Sequence, residues 1–93
     1  MKYLKKKIGR NPQAAWQEIE DKIVIVTPRT KKIHIVSGCG SRIWQLIEKP
    51  RLGASVMDML ADEFSAERKR LEKDLEDFIE EMVSKDAVEL KDE

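Results

Sequence analysis

Two β-rich runs, Lys22-Ile-Val-Ile-Val26 and Lys32-Ile-His-Ile-Val36, decide the fold of this chain, because they lead directly into a glycine-rich turn and an amphipathic helix. Side chains alternate between the two faces of a strand, and the first run is apolar on both, which predicts a central strand. The second run has Ile33 and Ile35 on one face and His34 on the other. Its flanking lysines are typical of an edge strand. Strands followed by helices predict a small α+β domain.

Three amphipathic helices are predicted after the strands, because apolar residues recur there at three- and four-residue spacing. We expect Ser37 or Ser41 to cap the first helix and Ser55 to cap the second. The third helix is the clearest and is predicted over about residues 67–85. The apolar positions are Ile43, Trp44, Leu46 and Ile47 in the first helix, Val56, Met59, Leu60 and Phe64 in the second, and Leu71, Leu75, Phe78, Ile79, Met82 and Val83 in the third.

Polar residues dominate the first thirteen positions, which end at the turn signal Asn11-Pro12. We therefore predict a basic N-terminal arm over residues 1–13 and a single domain over residues 14–93. Within the domain, residues 16–20 are expected to form a short first strand, and residues 87–90 a last strand or an anchored tail. The 93 residues suffice for one modest core. Its large members are expected to be Trp16, Trp44, Phe64 and Phe78.

The formal net charge of zero conceals an uneven distribution. Residues 1–53 contain twelve Lys and Arg against four Asp and Glu, whereas residues 54–93 contain six against fourteen. The two halves are expected to attract each other within the fold or in a homodimer, or to give partners two faces to distinguish. An ordinary solvated surface accounts for the same pattern, so the charges alone select no function.

Residues suited to catalysis or metal binding are scarce. Cys39 is the single cysteine and His34 the single histidine, so no internal disulfide and no Cys/His metal site are expected within one chain. No nucleophilic residue has a general base at a spacing typical of a catalytic site. We therefore expect no cofactor and no enzymatic activity. The chain has no apolar segment long enough to span a bilayer and no secretory signal, which indicates a cytoplasmic protein.

The spacing of these apolar and turn residues resembles the PqqD family over roughly residues 16–90. The residues that carry the resemblance are Asp21, Pro28, Val36, Gly38, Ile43, Trp44, Ser55, Val56, Leu60, Phe64, Asp74, Leu75, Phe78, Ile79 and Met82. The resemblance implies a winged helix-turn-helix with a small three-stranded antiparallel sheet followed by three helices. It also implies a peptide recognition element, which binds the leader of a ribosomally made precursor peptide and presents it to a modifying enzyme, often a radical SAM enzyme.

Three departures from the family pattern stand out. The family commonly has Asn where this chain has Val36-Ser37, a tight Asp-Gly turn where it has the longer segment 49–53, and Gly where it has Asp86. These departures indicate a PqqD-like relative rather than the protein that serves the biosynthesis of pyrroloquinoline quinone (PQQ) itself.

The resemblance also suggests where a peptide would bind. An open strand edge holds an extended peptide by main-chain hydrogen bonds, and in the family the groove is closed by the third helix. We expect Leu71 and Leu75 to accept apolar leader side chains, and basic residues at the rim to favour an acidic leader. The predicted peptide-binding residues are Lys31, Lys32, Ile33, His34, Ile35, Val36, Arg68, Lys69, Leu71, Glu72 and Leu75.

Simpler interpretations exist for several of these residues. Leu71 and Leu75 on a helical stripe are more often core than groove. His34 is expected to be a half-exposed sheet residue with no role as ligand or base. Cys39 at a helix start is either a somewhat acidified thiol or, more simply, a small residue near a turn.

A DNA-binding regulator is the rival function. The third helix of a winged helix-turn-helix enters the major groove by its first residues, which here include Arg68, Lys69 and Arg70. Against this interpretation, the same helix continues with carboxylates that phosphate would repel: Asp74, Glu76, Asp77, Glu80 and Glu81.

Overall fold

The computed structural model describes residues 2–92 and contains two small antiparallel sheets and three helices. This architecture confirms the predicted α+β class, which the winged helix-turn-helix label describes only loosely. The elements are β1 (Lys6–Arg10), β2 (Ala15–Ile19), β3 (Lys22–Thr27), β4 (Lys32–Ser37), α1 (Cys39–Leu46), β5 (Arg51–Leu52), α2 (Gly53–Glu63), α3 (Arg68–Ser84) and β6 (Val88–Asp92).

The predicted sheet has the strand order β2-β3-β4, so β3 is central and β4 lies at an edge. Both positions confirm the prediction from the sequence. Ile23 and Ile25 of β3 are fully buried against the helices, whereas Ile33 and Ile35 of β4 point to the opposite, solvent-facing side. His34 lies directly opposite Ile25 and shares its core-facing side.

The second sheet, with strand order β5-β1-β6, was not predicted. The expectation of an arm before residue 14 is wrong for Lys6–Arg10, because these residues pair along their full length with β6 at the other end of the chain. Ile8 is fully buried there, opposite Leu90, while Lys7 on the other face of the strand is exposed. A strand whose partner is about eighty residues away shows little local pattern. The proposed domain boundary at residue 14 stays a prediction.

The helices occupy the predicted places, but their caps differ from the predictions. The N-cap of α1 is Gly38, with φ of 60°. The Ser41 hydroxyl inside the helix has one proton to donate, and the main-chain oxygens of Val36 and Asp21 are both within reach, at 3.1 and 3.2 Å. Helix α2 begins at Gly53, two residues before the expected cap Ser55. Neither helix has a side-chain cap, because the N-cap residues Gly38 and Leu52 carry no side-chain oxygen.

A single core joins the inner faces of both sheets to the helices. Trp44 is fully buried in it and Phe78 nearly so, as predicted, but Trp16 remains 44% exposed and Phe64 only partly buried. Trp16 lies on an edge strand, where it packs on one side only. The fully buried core residues are Ile8, Ile23, Ile25, Ile43, Trp44, Ile47, Val56, Met57, Leu60, Leu75, Ile79 and Ala87.

Candidate functional site

The open edge of β4 borders a cleft that α3 closes on the other side. The cleft has a volume of about 360 Å³ and an apolar floor. Strand β4 pairs only with β3, so the main-chain groups on its other side have no strand partner within the described residues. The floor and strand side of the cleft comprise Ile35, Val36, Ser37, Cys39, Gly40, Phe78 and Met82.

The start of α1 forms one end of the cleft floor. Gly40 leaves space there, since a Cβ at this position would lie 3.5 Å from the Phe78 ring and 3.6 Å from Val36. Burial raises the pKa of the neighbouring Cys39 thiol, and the carboxylate of Asp74 raises it further. The thiol therefore stays protonated, and the interpretation of Cys39 as an acidified thiol is wrong.

The helix side of the cleft is acidic. It presents Asp74, Asp77 and Glu81, and no Lys or Arg lines the cleft among residues 2–92. Lys73 pairs with Asp77 at 3.2 Å and Lys85 with Glu81 at 2.6 Å, but these pairs are exposed, so their charges are readily rearranged. Asp74 has no ion-pair partner within the described residues. A peptide in the cleft therefore meets carboxylates along one wall.

The structure brings only part of the predicted binding set to this cleft. Ile35 and Val36 line it, and the other predicted β4 residues continue the same strand toward the β3–β4 turn, where Lys31 and Lys32 are exposed. The beginning of α3 lies elsewhere, since Arg68 pairs with Asp58 of α2 at 3.5 Å. It is the later part of α3, residues 74–82, that lies beside β4.

None of the five α3 positions in the predicted set lines the cleft. Leu71 is 2% exposed and Leu75 fully buried, so the core interpretation of these two leucines is confirmed. Arg68 and Lys69 are exposed, and neither lines the cleft. The positive rim expected from them is accordingly replaced by the acidic wall of α3. Glu72, the fifth position, is half-buried and pairs with Arg68 at 3.6 Å.

His34 lies beneath the edge strand and is 8% exposed, so the expectation of a half-exposed side chain is wrong. Its Nε2 lies 3.3 Å from Oγ1 of Thr27, the only polar atom within hydrogen-bonding distance in the described structure. Burial lowers the pKa of His34, the positive charges of Lys85 and Lys32 lower it further, and Glu81 opposes them. The imidazole is therefore neutral near pH 7 and contributes to the packing of β4 against α3.

A second concavity, of about 340 Å³, lies between the two sheets and is built around Arg10. The guanidinium carbon lies 4.6 Å from the ring centroid of Trp16 and 4.8 Å from that of Trp44. Nε and Nη2 both donate to the main-chain oxygen of Trp44, at 3.0 and 2.6 Å. The Arg10 guanidinium is thus engaged internally, which indicates a structural clamp.

Within residues 2–92 no cluster of His, Cys, Asp and Glu has the arrangement of a metal site. The helices of this same part of the chain are too short or too polar to cross a membrane.

Comparison with known proteins places this geometry in a family. Residues 22–88, which run from β3 to the start of β6, match the family model described as coenzyme PQQ synthesis protein D (PqqD). The chain belongs to the PqqD family. In this PqqD-family chain the matched region includes every residue of the cleft between β4 and α3.

A solved structure also matches with a TM-score of 0.80 and 27% sequence identity, over 87% of this chain and 94% of the other. That structure is described as TbiB1 in complex with the TbiA(beta) leader peptide. No significant match was found among curated protein sequences.

Several cleft residues were missing from the predicted binding set. Phe78 and Met82 were assigned to the core, and Asp74 and Asp77 were considered only as obstacles to DNA. The antiparallel course of α3 along β4 decides which turns of the helix reach the edge. That course depends on tertiary packing, and the 3.6-residue period of α3 gave no signal for it.

Proposed function

We propose that this chain binds the leader segment of a ribosomally made precursor peptide as an additional strand at the open edge of β4. The observation that carries the proposal is an unpaired strand edge directly beside a cleft with an apolar floor. Main-chain hydrogen bonds to β4 supply affinity for any extended peptide, and side-chain pockets supply selectivity. The leader complex of TbiB1, a protein of matching fold, supports the same role for this chain.

The chemistry of the cleft specifies the leader further. Side chains of an added strand alternate between its two faces, so every second leader residue points toward the floor formed by Phe78, Met82 and Val36. We infer that an apolar leader residue occupies this floor. A basic leader residue beside it would face Asp74 and Asp77, whereas an acidic leader residue fits the turn end of β4 near Lys31 and Lys32. This differs from the expectation from the sequence, which was a leader with acidic residues beside its apolar anchors.

The bound leader would then be presented to a separate enzyme that modifies the rest of the precursor. The family resemblance favours a radical SAM enzyme as this partner, with the chain itself acting as a non-catalytic adaptor. We also infer a cytoplasmic location, because the precursor is a ribosomal product.

Cys39 provides a direct test, because it is the single cysteine and lies at the cleft floor. Synthetic leader segments from small peptides encoded near this chain's gene are prepared with one cysteine, moved along the segment. Under oxidising exchange, we expect a mixed disulfide with Cys39 at one or two alternate leader positions only, which is the pattern of an added strand.

The control is the same series on the Cys39→Ser variant, with a short DNA duplex as a competing ligand. Cross-linking equally at every leader position would show collision without a fixed register and would contradict strand addition. Saturable, salt-sensitive binding of the DNA duplex, with no selectivity of Cys39 among leader positions, would favour the DNA-binding regulator.

A further inference from the structure

The outer face of the β2-β3-β4 sheet is mostly apolar, with Gln17 beside Val24, and it is uncovered in the described structure. The register places Val26 beside Ile33 and Val24 beside Ile35, with Ile19 at the far end of the same face. Ile33 and Ile35 are 67% and 66% exposed, and Ile19 is 50% exposed. Contiguous apolar side chains of this kind on a small domain mark a surface that another molecule covers.

The two ends of this face carry opposite charges. At the β3–β4 turn stand Arg29, Lys31 and Lys32, and at the β2–β3 turn stand Glu20 and Asp21. None of these five side chains forms an ion pair within residues 2–92. Lys22 lies on the face near the acidic end and reduces the negative charge there. The basic end therefore carries the larger net charge of the two.

We propose that this face is the contact between two copies of the chain, packed sheet against sheet with their strands antiparallel. A two-fold axis in the plane of the contact and perpendicular to the strands places the basic turn of each copy over the acidic turn of the other. The apolar side chains then meet at the centre. A surface that becomes complementary to itself under this rotation fits the isologous contact of a dimer.

The contact is small, and its size determines how the dimer behaves. Three strands of five or six residues offer well below the roughly 800 Å² per partner of a standard interface. The dimer therefore forms at high protein concentration and weakens with salt, since its ends are held by exposed charges. The main-chain groups at the edge of β4 point within the plane of the sheet, so this dimer leaves them open to an added strand. Ile35 and Ser37 border both the outer face and the cleft.

Sedimentation equilibrium of the purified chain, from micromolar to millimolar concentration, measures the association. We expect a monomer–dimer equilibrium that Ile33→Thr weakens at least about tenfold, a change of about 1.4 kcal/mol. Threonine keeps the β-branched shape that suits a strand. Val83→Thr is the matched control, because Val83 is an exposed apolar residue of α3 outside this face, and it should leave the dimer unchanged.

Charge reversal tests the antiparallel arrangement. Arg29→Glu alone and Glu20→Lys alone should each weaken the dimer at low salt, whereas the double variant, with both ends reversed, should restore it. A monomer at every concentration would overturn the proposal. So would a dimer insensitive to Ile33→Thr, or one that dissociates when a leader segment occupies β4, because that dimer would pair through its strand edges.

Discussion

The guanidinium of Arg10 holds the main-chain oxygen of Trp44 with two donors, at 3.0 and 2.6 Å, while its plane stacks near the Trp44 ring. This contact ties β1 of one sheet to α1, which packs against the other. Because Lys lacks the planar fork of donors, Arg10→Lys loses the bidentate bond and the stacking together. We expect a loss of about 1–3 kcal/mol in the free energy of unfolding, measured by urea denaturation.

Arg42→Lys is the matched control for this variant, because Arg42 makes an exposed ion pair with Glu63. Its effect should stay below about 1 kcal/mol. Equal losses for the two variants would contradict the clamp.

The stability of the fold should depend on the protonation of His34. Burial and the neighbouring lysines lower its folded pKa below the unfolded value of about 6.5. The folded state thus favours the neutral imidazole, and its contribution is fully present above the unfolded pKa and lost as pH falls through the folded one. Urea unfolding at a series of pH values should show this loss of stability as the pH falls below about 6.5, and His34→Gln should remove this pH dependence.

Gly53 should tolerate no side chain. A Cβ at this position would lie 2.0 Å from the main-chain oxygen of Tyr3, a contact that requires the backbone to move. Gly53→Ala should therefore lower the free energy of unfolding by about 1–3 kcal/mol. Gly40→Ala is the comparison, since a Cβ at Gly40 would lie 3.5 Å from its nearest neighbour, which is an ordinary contact distance. A Gly53→Ala variant as stable as Gly40→Ala would argue against this packing.

Filling the cleft should abolish leader binding without unfolding the chain. Gly40→Leu extends a side chain from the floor toward Phe78 and Val36, so it occupies the space proposed for the apolar leader residue. We expect leader affinity to fall more than about tenfold by isothermal titration calorimetry. Gly40→Ala is the control, because its Cβ fits at ordinary contact distance and stabilises α1 by about 0.5–1 kcal/mol. Undiminished binding by Gly40→Leu would place the leader elsewhere.

The acidic wall of α3 should select for positive charge in the leader. Asp77→Lys reverses a charge that lines the cleft, whereas Glu80→Lys makes the same change on an exposed turn of α3 that does not. A leader segment with a basic residue beside its apolar anchor should lose affinity with the first variant only. The leader affinity of the Asp77→Lys variant should also depend less steeply on salt concentration. Equal effects of the two reversals would mean that only the overall charge of the helix matters.

The sequence predicted where the helices and strands lie better than it predicted which of them pair or pack together. The two runs that became β3 and β4, and the stripe of α3, were correct because each is a local periodic pattern. The strand at Lys6–Arg10 was missed because its burial depends on β6 at the opposite end of the chain. Trp16 was assigned to the core by its size, although an edge strand covers only one side of its ring.

For the candidate site, the sequence predicted the strand side of the cleft but not its helix side. The edge position of β4 followed from its flanking lysines, and Ile35 and Val36 of the predicted strand line the cleft. That these strand residues bind a peptide stays a prediction. The helix side was assigned to the first turns of α3, because the sequence does not reveal that α3 runs antiparallel to β4 and brings residues 74–82 to the edge. The predicted charge of the leader depended on which turns of α3 reach the edge. Because residues 74–82 lie there, the helix side of the cleft is acidic and not basic.

Hydrogen exchange measured by NMR on labelled protein, with and without a leader segment, tests strand addition most directly. An added strand donates to and accepts from alternate residues of β4, so amides on the open side of Lys32–Ser37 should become strongly protected while those of β2 stay unchanged. Protection at β4, together with shifts at Gly40 and Phe78, is the predicted result. Leader binding that leaves the β4 amides exchanging as before would contradict the account.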